Sequence, residues 1–127
     1  MVEYFHSKGA KVVFGDLNDE SGKEIEQKLG EYDYQKKKWN WRRGATYTHC
    51  DVTNWDQLLD LHELALKTYG TIDVVVPNAG VNEVEDIFDD LYDKKGRLLP
   101  PKHTLNEINF KGVFNSTFPQ KFSCWPR

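Results

Sequence analysis

Apolar residues along the chain occur in short runs that alternate with helical repeats. The short runs are rich in β-favouring residues and predict strands at 11–17, 45–52 and 71–77. Apolar positions at helical spacing predict helices at 2–8, 18–30, 54–69 and 103–118. Because this alternation is typical of right-handed βαβ crossovers, the sequence predicts an α/β fold with a parallel sheet covered by helices.

Polar and small residues mark the ends of the predicted elements. Asn18 or Asp19 is the predicted N-cap of the second helix, and Thr53 or Asn54 that of the third. Glycines that can end helices stand at Gly9 and Gly70. The apolar run at 71–77 is unbroken, which predicts a strand buried on both faces of the sheet.

Three segments of the single predicted domain, 1–127, interrupt this pattern. Residues 31–44 are expected to be an irregular insertion, 81–104 a loop and 121–127 an atypical tail. The insertion mixes cations with Trp39 and Trp41, which could stack single-stranded bases through 36–43. A solvated insertion is the favoured interpretation, because such patches are unspecific.

Composition narrows the classes of partner. The net charge of −3 argues against a nucleic-acid partner, since neutralising phosphates requires a basic face. No apolar run approaches the ~20 residues that a membrane span needs, and a signal-peptide pattern is absent. Cys50 and Cys124 lack the spacing of a zinc site, and Cys50 is interpreted as a small strand hydrophobe. The sequence therefore predicts a metal-free, cytoplasmic protein.

Polar residues follow each predicted strand, and the carboxyl ends of parallel strands meet at one edge where α/β sheets bind ligands. Asp16 can accept both hydroxyls of an adenosine ribose and would repel a 2′-phosphate, which favours NAD over NADP. Asp51 can accept from an adenine amino group. For each residue a plain turn is the alternative interpretation, because aspartate is common in turns. Methyltransferases also place an acid at the position of Asp16.

The tripeptide Asn78-Ala79-Gly80 follows the third predicted strand. Gly80 can adopt a backbone conformation closed to other residues, and Ala79 leaves space for a flat ligand. Asn78 can bond neighbouring backbone groups and join adjacent strand ends. A turn would use the same residue types, so this tripeptide gains meaning only from its position after Asp16 and Asp51.

Four stretches together resemble the short-chain dehydrogenase/reductase family. They are "GAKVVFGDLNDESGKEIEQKLG", "THCDVTNWDQL", "YGTIDVVVPNAGV" and "LNEINFKGVFNSTF". The resemblance implies an incomplete Rossmann-type, doubly wound parallel sheet with helices on both faces, and NAD as cofactor. The cofactor-binding residues that it implies are Asp16, Leu17, Asp51, Val52, Asn78, Ala79 and Gly80. It implies Asn109 as the active-site asparagine, an alcohol or ketone substrate and a homo-oligomeric parent enzyme.

The sequence departs from the family pattern at both ends. The glycine-rich turn after strand one, strand one itself, the catalytic serine and the Tyr-x-x-x-Lys pair are all missing, as are the strands after the Asn109 helix. The pairs that begin at Tyr4, Tyr32 and Tyr34 precede the second of the predicted strands and do not fit the catalytic position. The chain is therefore expected to be a truncated, poorly stable fragment without activity alone. The alternatives are a non-catalytic nucleotide-binding or interaction module and a single-stranded nucleic-acid binder.

Overall fold

The computed structural model describes residues 1–33, 38–40, 44–82, 91–100 and 103–118, with the backbone alone at 31–33 and 38–40. The helices are α1 (Val2–Ser7), α2 (Asp19–Leu29) and α3 (Trp55–Tyr69), followed by a π-helix (Asn106–Gly112) that continues as α4 (Val113–Thr117). The strands are β1 (Val12–Asp16), β2 (Glu31–Asp33), β3 (Lys38–Asn40) and β4 (Ala45–His49).

The central sheet consists of β1 and β4, which pair in parallel from Val12↔Ala45 to Asp16↔His49. The predicted parallel α/β arrangement is therefore confirmed for these strands. Because the register keeps the strand ends level, the residues after Asp16 and after His49 leave the sheet at the same edge.

Helices cover both faces of this sheet, as the sequence predicts. Phe14 and Tyr47 lie side by side on one face, with ring centroids 5.4 Å apart. Helix α2 crosses this face so closely that a Cβ at Gly22 would lie 2.2 Å from the Tyr47 ring. A Cβ at Gly15 would instead meet Leu61 of α3 at 3.3 Å, so α3 covers the opposite face.

The helix ends follow the sequence signals. The Asn18 side chain accepts from the Ser21 amide at 3.0 Å and is the N-cap of α2. The Asn54 side chain accepts from the Asp56 amide at 3.1 Å and is the N-cap of α3. Gly70 follows α3 with φ 83°, a left-handed conformation that favours glycine.

The segment 71–77 is not a strand, so the prediction of a third strand, buried on both faces, is wrong. Val74 and Val76 are 70% and 45% exposed. Tyr69 donates to the Gly44 carbonyl at 3.1 Å, so the segment starts near the amino end of β4. Within the described residues β1 pairs only with β4. An apolar run becomes a strand only where its backbone finds a partner, and 71–77 has none within the described residues.

Two short strands lie within residues 31–44, the range predicted as an irregular insertion. Strands β2 and β3 form an antiparallel ladder from Glu31↔Asn40 to Asp33↔Lys38. The remaining residues of 34–43 and the tail 119–127 lie outside the described residues. No helix in the described part of the chain is long and apolar enough to cross a bilayer.

The buried apolar residues of the described chain are Ala45, Cys50 and Leu58. Burial is the main reason why the pKa of Cys50 rises to about 11, so the thiol stays protonated at neutral pH. The interpretation of Cys50 as a small hydrophobe is confirmed. Among the residues whose side chains the structure describes, fifteen large hydrophobic ones are exposed, including Phe110 at 75%, so the buried core there is small.

Candidate functional site

A cleft of about 660 Å³ lies at the carboxyl edge of the sheet. Leu17 follows β1, while Asp51 and Thr53 follow β4, so the two strand ends form one wall. The opposite wall comes from the start of the last helical segment. The lining residues there are His103, Thr104, Glu107 and Ile108. The cleft is shallow and largely open to solvent.

Asp16 ends β1 next to this cleft. One carboxylate oxygen, Oδ1, accepts from the Asn18 amide at 2.9 Å, which fixes the carboxylate on the turn into α2. The Asp16 carbonyl accepts from the Cys50 amide at 3.1 Å, so the turns after the two strands are joined. No hydrogen bond to Oδ2 occurs within the described residues, and this oxygen can accept from a ligand.

Asp51 forms a turn of its own at the cleft. Its Oδ1 accepts from the Thr53 amide at 2.8 Å and from the Thr53 hydroxyl at 2.7 Å. These bonds, the amide first, hold the pKa of Asp51 below its usual range. Asp51 is therefore ionised at neutral pH and acts only as an acceptor. The turn interpretation of this residue is confirmed, and its Oδ2 can still accept from a ligand.

Val52 is not among the lining residues of the cleft and packs on the last helical segment at Gly112. A Cβ at Gly112 would lie 2.7 Å from Cγ2 of Val52, so only glycine allows this approach of the π-helix. The contact explains a glycine inside a helix, where it lowers intrinsic helix propensity. It also fixes where the second wall of the cleft stands relative to β4.

Asn109 ties the segment after 71–77 to the π-helix. Its Oδ1 accepts from the Val81 amide at 2.8 Å, and its Nδ2 donates to the Val81 carbonyl at 2.7 Å. A Cβ at Gly80 would lie 3.4 Å from the same Oδ1. The φ of Gly80 is not positive, so the expected special conformation is wrong, and close approach is what a small residue provides here.

The predicted site residues thus form two groups. The first group is at the cleft, where Leu17 and Asp51 are lining residues and Asp16 is their neighbour. In the second group Gly80 packs against the side chain of Asn109. Asn78 and Ala79 are exposed and are not among the lining residues of the cleft.

Sequence reasoning missed Thr53 and the wall at 103–108. The one signal for the wall was the predicted start of a helix at 103, since a helix that starts at the strand-tip edge can bound the site.

Two other candidate sites have a limited structural description. Tyr4 lies on α1 and Lys8 follows that helix, so both precede β1 in the chain. The Lys8 Nζ lies 5.6 Å from the centroid of the Tyr4 ring. The later Tyr-x-x-x-Lys pairs and the basic-aromatic stretch 36–43 have side chains outside the described residues. No group of three or more metal-ligating side chains occurs in the part of the chain that the structure describes.

Comparisons with known proteins agree on one family. The sequence profile of the family described as short chain dehydrogenase matches residues 1–118. The (21S)-21-acetoxyl-apo-melianone synthase SDR of Melia azedarach is 36% identical over 80 residues, which are 63% of this chain and 25% of that protein. Zerumbone synthase of Zingiber zerumbet is 33% identical over 112 residues, 87% of this chain and 36% of that protein. The chain thus spans 25% to 36% of the length of these relatives.

A solved Bacillus thuringiensis structure named as a 3-oxoacyl reductase has a similar fold. The TM-score is 0.63 at 21% identity, over 95% of this chain and 44% of that chain. At this identity the likeness concerns the fold alone. With the parallel β1–β4 pair and helices on both faces, it identifies the incomplete Rossmann-type arrangement that the sequence predicts.

Proposed function

The chain belongs to the short-chain dehydrogenase family, and from this premise we propose that it binds NAD through the adenosine half of the cofactor. The parent activity is then hydride transfer between NAD and a secondary alcohol or ketone. The observation that carries the proposal is the meeting of Leu17 and Asp51 in one cleft, beside Asp16, at the carboxyl ends of two parallel strands.

The residues at the cleft fit an adenosine. Asp16 keeps Oδ2 available on a turn that its Oδ1 already stabilises, so two ribose hydroxyls can donate to the carboxylate. The same charge disfavours a 2′-phosphate, which supports NAD rather than NADP. Leu17 offers an apolar surface to the adenine, and ionised Asp51 offers an acceptor for its amino group.

The remaining predicted residues support the rest of the cofactor. Val52, Asn78, Ala79 and Gly80 are proposed to line it, and Asn109 to belong to the active centre of the parent enzyme. The side-chain amide of Asn109 is hydrogen-bonded to Val81 through both its oxygen and its nitrogen. Within this chain Asn109 therefore holds the carboxyl end of the tripeptide in place. When bound, NAD supplies a hydride acceptor at its nicotinamide ring.

Replacing Asp16 with alanine is expected to weaken AMP binding by about tenfold or more, because a charge-assisted hydrogen bond contributes roughly 1.5–3 kcal/mol. Titration of the 127-residue chain with AMP and NAD measures this effect, and both ligands should bind in the same range. The variant should also discriminate less against 2′,5′-ADP. Asp60→Ala, which removes an exposed acid from the middle of α3, is the matched control and should bind like the wild type. Equal AMP affinity in Asp16→Ala would refute the proposal.

The polypeptide 1–127 by itself is expected to show no dehydrogenase turnover. In this family, proton transfer is expected from a tyrosine beside a lysine at the strand-tip edge, since a nearby lysine lowers the pKa of the phenol. Tyr4 and Lys8 instead lie ahead of the amino end of β1. An assay of NADH formation over a panel of secondary alcohols tests this expectation. Turnover above a buffer control, at a rate that scales with protein concentration, would contradict it.

A further inference from the structure

The hydroxyl of Tyr47 bridges the two ends of the turn that presents Asp16. It lies 3.0 Å from the Asp16 carbonyl oxygen and 2.6 Å from Oδ1 of Asp19. A hydroxyl has a single proton, so the donor is shared between these two acceptors. Because Tyr47 belongs to β4, the neighbouring strand holds the turn between β1 and α2 from outside.

Tyr47 itself is firmly placed. Its ring lies against Phe14 at 5.4 Å between centroids, and α2 passes over it at Gly22. Its amide donates to Oε1 of Glu26 at 3.0 Å, a second tie between β4 and α2. Burial, then the bond to Asp19, raises the pKa of Tyr47 well above its ordinary value, so the hydroxyl remains a donor at physiological pH.

The turn held in this way carries the Asp16 carboxylate, directly before Leu17, which lines the cleft. Asp16 is exposed, and its side chain is oriented within the described residues by the Asn18 amide at 2.9 Å. That bond depends on the path of the backbone from Asp16 to Asn18. Tyr47 contacts both Asp16 and Asp19, the residues on either side of this path.

We propose that Tyr47 is a positioning residue that holds the Asp16 carboxylate in place for the ribose hydroxyls of an adenosine ligand. The inference rests on the proposed function, since it assigns Tyr47 to the same site. Tyr47 does not touch the ligand itself. Its hydroxyl limits the motion of the turn, so that the carboxylate is in position before the ligand arrives.

The test compares binding of AMP with binding of 2′-deoxy-AMP, which lacks one of the two ribose hydroxyls proposed to donate hydrogen bonds to Asp16. Tyr47→Phe keeps the ring and removes the hydroxyl. We expect AMP to bind about three- to tenfold more weakly, in line with one lost hydrogen bond, and 2′-deoxy-AMP, which keeps the 3′-hydroxyl, to lose less affinity than AMP. Tyr69→Phe is the matched control, because it removes a hydroxyl that donates to a backbone carbonyl at the amino end of β4. It should leave both affinities unchanged.

An unchanged preference for AMP over 2′-deoxy-AMP in Tyr47→Phe would overturn the inference. Asp19→Ala provides a second variant, since the Tyr47 proton can then go entirely to the Asp16 carbonyl, and the preference should persist. Loss of the preference in Asp19→Ala as well would also count against Tyr47.

A further readout separates this inference from the proposed function. If wild-type protein fails to bind AMP, the proposed function is wrong, but hydrogen exchange of the Asn18 amide still decides the positioning role. Faster exchange in Tyr47→Phe supports the role, and equal exchange overturns it.

Discussion

Replacing Gly22 with alanine is expected to lower the free energy of unfolding by about 1–3 kcal/mol, because the new methyl group overpacks the interface between α2 and the sheet. A Cβ there would lie 2.2 Å from Cε2 of Tyr47 and 2.5 Å from two further ring atoms. The Tyr47 ring cannot move freely away from the new methyl group, because Phe14 lies against the ring. The Tyr47 hydroxyl is also hydrogen-bonded to Asp16 and Asp19. Alanine gains up to about 1 kcal/mol of helix propensity over glycine, which offsets only part of this cost.

Urea unfolding followed by circular dichroism measures the effect of Gly22→Ala. Ser21→Ala is the control, since it raises helix propensity at an exposed neighbouring position and should leave the midpoint unchanged or higher. A double-mutant cycle with Tyr47→Leu isolates the clash. Without the aromatic ring, Gly22→Ala should become neutral or stabilising. A cost that persists in this background would assign the effect to the α2 backbone instead of the ring.

Much of the fold could be predicted from local patterns. The Asn18 and Asn54 caps depend on side chains that bond amides two or three residues later, so the sequence nearby contains the whole interaction. Helix α3 combines such a cap with apolar spacing and a terminal glycine, and its observed range Trp55–Tyr69 agrees with the prediction. Strands β1 and β4 also lie within their predicted ranges.

The error at 71–77 has a different physical origin. The apolar run describes what the segment would bury, but strand formation requires a neighbouring backbone to bond with. In the described residues β1 and β4 pair with each other, and Val74 is 70% exposed. The apolar run is a property of the local sequence, whereas strand formation depends on a partner strand elsewhere in the chain.

The candidate site was predictable only in part for a related reason. Asp16 and Asp51 follow strands whose parallel pairing was itself predictable, so their meeting at one edge follows from topology. The second wall of the cleft depends on the approach of Val52 to Gly112 and on the bonds from Asn109 to Val81. These contacts join residues far apart in sequence. Nothing in the helical spacing of 103–118 indicates the π-helix that presents Asn109.

Asn109 holds the carboxyl end of the segment 71–82. In the described structure it satisfies both the amide and the carbonyl of Val81, directly after Asn78-Ala79-Gly80. Only an amide side chain can accept from one backbone group and donate to the other in this geometry. The segment 71–82 lacks sheet partners within the described residues, so these two bonds fix its carboxyl end.

Replacing Asn109 with alanine should therefore release Val81 and lower the free energy of unfolding by about 1–3 kcal/mol, the cost of leaving part-buried backbone groups unpaired. Hydrogen exchange of the Val81 amide should accelerate about tenfold or more, since tenfold corresponds to roughly 1.4 kcal/mol. Asn106→Ala, an exposed asparagine at the start of the same π-helix, is the matched control and should alter neither quantity. Unchanged hydrogen exchange of the Val81 amide in Asn109→Ala would contradict this prediction. It would mean that packing at Gly80, and not the Asn109 side chain, holds the segment.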